Sequence, residues 1–108
     1  MRDDLEQEIS QFNAAHGLDI CLDAVGEIYG ADVLDRMAED VETVIDNLEF
    51  LLSLGFGEET ADICNRFGVI LLEDCAVFQE NVNAMLADID GDYVEKLGED
   101  MSPWETLL

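Results

Sequence analysis

The chain predicts an all-α fold, and three observations carry that expectation. Apolar residues recur at steps of three and four along most of its length, alternation of period two is absent, and the β-branched residues fall on the helical stripes. A hydrophobic content of 49% and a mean hydropathy of +0.07 give those stripes enough apolar surface to bury, unlike a disordered acidic tail. At 108 residues the chain is expected to form a single acidic domain spanning 1–108.

Taken in order, Leu5, Ile9 and Phe12 behind Asp3-x-x-Glu6, which has the form of an N-terminal cap, predict a short first helix that Gly17 stops. Leu18, Cys21, Leu22, Val25, Ile28 and Tyr29 predict a second, ending at Gly30 and weakened internally by Gly26. From Ala31 to Leu54 there is neither Gly nor Pro, and Val33, Met37, Val41, Val44, Leu48 and Leu51 predict one long helix over about 31–54. Gly55-Phe56-Gly57 breaks it, and Glu58 and Glu59 stand where a new helix favours negative charge. Ile63, Phe67, Leu71, Cys75, Phe78, Val82, Met85 and Ile89 then predict a second long helix over about 58–89, with Gly68 its interior weak point. The two are expected to pair as a long antiparallel hairpin, the frame of a small helical bundle. Asp90-Gly91 closes the hairpin and Asp92-x-x-Glu95 starts a short helical turn. Ser102-Pro103-Trp104-Glu105 combines a capping serine, a first-turn proline and a glutamate in a short helical C-terminus anchored by Trp104. Rods of about 36 to 48 Å outrun two short helices, so a homodimer is a possible cover for the remainder.

Against this ordinary apolar pattern stands an extreme charge: 27 Asp and Glu, four Lys and Arg, and a formal net charge of −23. Asp32, Asp35, Glu39, Glu42, Asp46 and Glu49 repeat at steps of three and four, which on one straight helix forms a carboxylate stripe opposite the apolar seam. Like charges one turn apart oppose helix formation, and only Arg36 stands near enough to relieve the first of them. A second cluster, Asp88, Asp90, Asp92, Glu95, Glu99 and Asp100, lies near the C-terminus. An ordinary surface mixes both signs; one offering only Arg2, Arg36, Arg66 and Lys96 points to a positively charged partner. Phe50 and Phe56 are candidate apolar anchors in such an interface, or else core residues.

Duplex DNA carries one negative charge per about 1.7 Å, so this net charge corresponds to roughly 11 to 12 base pairs. In composition and inferred shape the chain resembles DNA-mimic proteins of phages and mobile elements, which include some anti-restriction and anti-CRISPR proteins. That resemblance implies an inhibitor that blocks the basic nucleic-acid-binding surface of another protein; it rests on no motif and carries no residue over. One alternative keeps the basic target but makes the chain an immunity or antitoxin protein that neutralises a toxin such as a nuclease. Another is halophilic adaptation, with which three cysteines, five phenylalanines and an apolar interior sit awkwardly.

Catalysis has little to rest on: His16 is alone beside Gly17, and no Gly-rich phosphate loop, HExxH or Cys/His cluster is present. No enzyme activity, no catalytic residue and no cofactor are expected. Asp88 to Glu99 places acidic residues at the first, third, fifth and twelfth positions of a calcium loop, but Tyr93 takes the sixth, where glycine is needed, so no metal site is expected. Phosphate contacts need Lys and Arg, which argues against direct nucleic-acid binding and against a basic membrane-binding helix. Met1-Arg2-Asp3-Asp4 lacks the order of a signal peptide and no apolar run spans a bilayer, so the expected location is cytoplasmic. Cys21, Cys64 and Cys75 form no CxxC pair and are expected to be buried thiols.

Overall fold

The computed structural model describes residues 2–108, and of Arg2 the backbone alone. The chain forms α1 (Arg2–His16), α2 (Leu22–Tyr29), α3 (Ala31–Glu39), α4 (Val41–Ser53) and α5 (Glu59–Phe67), then a 3-10 segment (Gly68–Leu72), α6 (Cys75–Ala87), α7 (Tyr93–Glu99) and a terminal 3-10 segment (Ser102–Leu107). No strand occurs among the described residues, so the all-α bundle is as expected. Helix α4 is its axis: Val44, Asn47, Leu48 and Leu51 are fully buried, and the helix packs against α1, α3, α5, α6 and the first 3-10 segment. The radius of gyration, 13.1 Å, is that of a close-packed domain of this length, and the molecule measures 41 × 25 × 24 Å.

The expected long hairpin does not form, because each of its arms is broken. At Asp40 the backbone turns out of the helix (φ −142°, ψ 63°), and its carboxylate accepts from the Thr43 amide (3.3 Å) and the Thr43 hydroxyl (2.7 Å). This is an N-cap for α4, a feature stabilising by about 0.5–2 kcal/mol, and it needs neither Gly nor Pro. The apolar seam runs on from Met37 to Val44 because the new helix restarts in step. In the second arm the chain tightens at Gly68, where a Cβ would stand 3.1–3.2 Å from both Val25 methyls. Asp74 then caps α6 by accepting from the Ala76 amide (3.0 Å). The Asn47 amide crosses from α4 to donate to the carbonyls of Leu71 and Glu73, both at 3.0 Å, groups that a continuous helix would have paired itself. The rods whose length suggested a homodimer do not form; the large apolar residues exposed among the described residues are Ile28, Val77 and Leu108.

Smaller departures have local causes. Asp3 lies inside the first turn of α1 rather than capping it. Helix α2 starts at Leu22, not Leu18, because the segment before it is held extended by two asparagines. Asn13 accepts from the Ile20 amide (2.9 Å) and donates to the Ile20 carbonyl (3.1 Å), while Asn65 accepts from the Cys21 amide (2.7 Å) and donates to the Asp19 carbonyl (3.1 Å). Gly26 lets α2 approach α3, since a Cβ there would meet Leu34 at 3.1 Å. At the C-terminus Ser102 is itself held, donating through its amide (3.0 Å) and hydroxyl (2.6 Å) to Asp100, and Trp104 is fully buried edge-on to Phe56. Of the cysteines only Cys64 is buried, where desolvation pushes its thiol up to about 12; Cys75 is half-buried and Cys21 exposed.

Breaking the rods gives one more carboxylate a helix start to occupy. Each helix N-terminus carries roughly half a positive charge and favours a carboxylate in the first turn by about 0.3–1 kcal/mol. The rods would themselves have offered such ends to Asp32 and to Glu59 with Asp62; the breaks add the start of α4, which seats Glu42, and that of α6, which has no acidic residue in its first turn.

Candidate protein-binding groove

Where α1 passes the elbow between α3 and α4, a groove of about 590 Å³ opens, within the size range of sites that seat side chains or small ligands. Ala38, Val41 and Ile45 give it an apolar floor, and five carboxylates, Asp4, Glu8, Glu39, Glu42 and Asp46, surround that floor together with Gln7. All five are exposed to solvent. No lysine or arginine lines the groove among the described residues.

The elbow sets the electrostatics. Asp4 and Glu8 stand one turn apart on α1, and Glu42 and Asp46 one turn apart on α4, so each bank carries a pair of like charges at a rise of about 6 Å. Such pairs cost a few tenths of a kcal/mol each. Asp4 and Glu42 recover some of that from the N-terminal ends they occupy. Glu39 does not: it is the last residue of α3, at the negative end of that helix. The charge of the groove reaches its surroundings, since the Cys75 thiol is held above its usual range first by burial and then by Asp46, Asp74 and Asp40.

The structure divides the stripe expected from the sequence. Glu39, Glu42 and Asp46 meet at the groove, whereas Asp32, Asp35 and Glu49 do not line it. Asp4, Gln7 and Glu8 join from α1, which sequence reasoning had treated only as a cover for the core. Their signal was present in the same form, an acidic pair at i, i+4 beside Leu5 and Ile9.

The C-terminal cluster is a different kind of place. Asp92 caps α7 by accepting from the amides of Val94 (3.1 Å) and Glu95 (3.4 Å). Asp100 is engaged by Ser102, whose hydroxyl and then amide hold its carboxyl below the usual range. Asp88, Asp90 and Asp100 share a hollow of about 340 Å³ with Lys96, whose chain lies over Gly91; Glu95 and Glu99, exposed on α7, do not line it. Phe56 packs on Tyr93 and Trp104 and Phe50 meets Phe78 edge-on, so both belong to internal packing. His16 ends α1 and packs against Phe12, the ring centroids 4.5 Å apart and the planes tilted by 51°. Among the described residues no three His, Cys, Asp or Glu side chains converge as a metal site, and no helix is long and apolar enough to cross a membrane.

Comparison of the chain with protein families, with characterised proteins and with solved structures found no match.

Proposed function

We propose that this protein is a non-enzymatic, acidic inhibitor that occupies the basic nucleic-acid-binding surface of another protein, in the manner of a DNA mimic. The observation that carries this reading is the groove: five carboxylates around one depression, with no described basic residue to neutralise them, in a fold that bears their repulsion. Scale supports it. At one charge per about 1.7 Å, 23 charges correspond to about 39 Å of duplex, and the long axis of the molecule is 41 Å. Such a surface also steers a basic partner into fast association, an advantage to an inhibitor competing with nucleic acid.

The test is selective elution. Host lysate is passed over the immobilised protein, and bound material is released first with a 12-base-pair duplex and then, in a parallel column, with salt of matched ionic strength. Proteins released by the duplex but not by the matched salt are expected, and they are expected to bind nucleic acid in isolation. If the duplex releases nothing beyond the matched salt, the mimic reading fails; a specific partner that resists the duplex identifies a toxin-neutralising role instead.

A further inference from the structure

We infer that the groove between α1 and the α3–α4 elbow seats a basic amphipathic α-helix of the target, with arginine or lysine along both flanks and small apolar side chains on its inner face. This rests on the inhibitor reading for the identity of the target, and on the groove alone for the shape of what binds.

Three features select a helix of this chemistry. First, a surface that merely imitates phosphates needs no apolar floor, yet Ala38, Val41 and Ile45 line the bottom of this groove. Aliphatic floor and acidic rim together match arginine and lysine side chains, whose stems lie on apolar surface while their heads reach outward to charge. Second, the carboxylates form two rails, Asp4 with Glu8 on one bank and Glu42 with Asp46 on the other, each stepped by one helical turn. A helix carrying basic residues at i and i+4 on each flank presents its charges at the same step of about 6 Å. Third, the walls are helical segments whose interior backbone groups are already paired, so they offer no edge to an extended peptide. An extended segment would lay its own amides and carbonyls over the aliphatic floor without partners, whereas a helix satisfies them internally. Charge complementarity then fixes the sign: the described cations lie elsewhere, with Arg36 beside Leu107 and Leu108, Arg66 on Met101 and Lys96 over Gly91.

The probe is a synthetic alanine-based peptide of about 16 residues with arginines at i, i+4 on two flanks, compared with one of the same charge whose helix is broken by a central proline. Binding is followed by fluorescence anisotropy. The helical peptide is expected to bind about tenfold more tightly than the broken one, and the double variant Glu42→Gln, Asp46→Asn to weaken it by about tenfold. Glu27→Gln with Glu80→Gln removes the same charge from α2 and α6 and is expected to change affinity less than about twofold. Equal binding of the two peptides, or equal losses in the two double variants, overturns the groove and leaves only diffuse charge. Circular dichroism of each variant shows that the comparison is made between folded proteins. The two readings fail separately. A duplex-released target indifferent to Glu42→Gln, Asp46→Asn sinks the groove alone, and tight peptide binding with no duplex-released target sinks the inhibitor reading alone.

Discussion

The elbow groove and the C-terminal segment are regions of opposite character. On one side, at the elbow, carboxylates from three helices crowd around a shallow apolar floor with no described cation. On the other, the C-terminal segment brings Trp104 fully into the core, and Arg36, Arg66 and Lys96 lie against residues of the last third of the chain. Acidic residues occur in both places, but in the C-terminal region they hold structure, Asp92 as a cap and Asp100 as the anchor of Ser102. At the groove only the neighbouring Asp40 caps a helix, and the five lining carboxylates carry charge. Glu8, Glu39 and Asp46 occupy no helix start, and their repulsion is what the proposed basic partner would relieve.

That contrast gives substitutions of opposite sign. The largest effect is expected from Trp104→Ala, which empties the best-buried aromatic site and should lower the unfolding free energy by about 3–5 kcal/mol in urea titration. A smaller loss would mean that the C-terminal segment is not a structural seam. Next comes Asp40→Ala, which removes the cap at the elbow. It should cost about 1 kcal/mol and also weaken the helical peptide, because the groove depends on the angle the cap sets; unchanged affinity would show that the groove does not depend on the elbow. The smallest effect, Asp46→Asn, is the most informative. Relief of its repulsion with Glu42 should raise stability by a few tenths of a kcal/mol while peptide affinity falls, a reversal visible by pairing thermal melts with anisotropy. A loss of stability there would place Asp46 with the structural carboxylates and dissolve the contrast.

The helical class and the apolar seam were legible because periodicity reports burial: Val44, Leu48, Leu51, Ile63, Leu71 and Val82, all read from spacing, are fully buried. The breaks were not, because neither uses a strong punctuator. Asp40 interrupts a run without Gly or Pro by a side-chain cap, a signal that hides among 27 acidic residues. Gly68 was visible as a weak point, but its cause is Val25, forty-three positions away in sequence. Of the acidic stripe, Glu39, Glu42 and Asp46 line the groove and Asp32, Asp35 and Glu49 do not, since a row read along one straight helix bends at Asp40. The bank formed by Asp4 and Glu8 required knowing that α1 lies beside the elbow, a tertiary fact with no local trace. Buried Asn47 was passed over for the same reason, as its partners Leu71 and Glu73 sit on another element.

The two asparagines that grip the connection between α1 and α2 have a consequence of their own. Asn13 with Ile20, and Asn65 with Asp19 and Cys21, act as a short improvised ladder, each amide taking one donor and one acceptor from the passing backbone. Carboxamides do not titrate, and neutral hydrogen bonds respond little to ionic strength. On a surface rich in carboxylates that answer to acid and salt, this junction is fastened by groups that answer to neither. The amide protons of Ile20 and Cys21 should therefore exchange slowly, outside any helix, and keep that protection when salt or mild acid changes the charge around them.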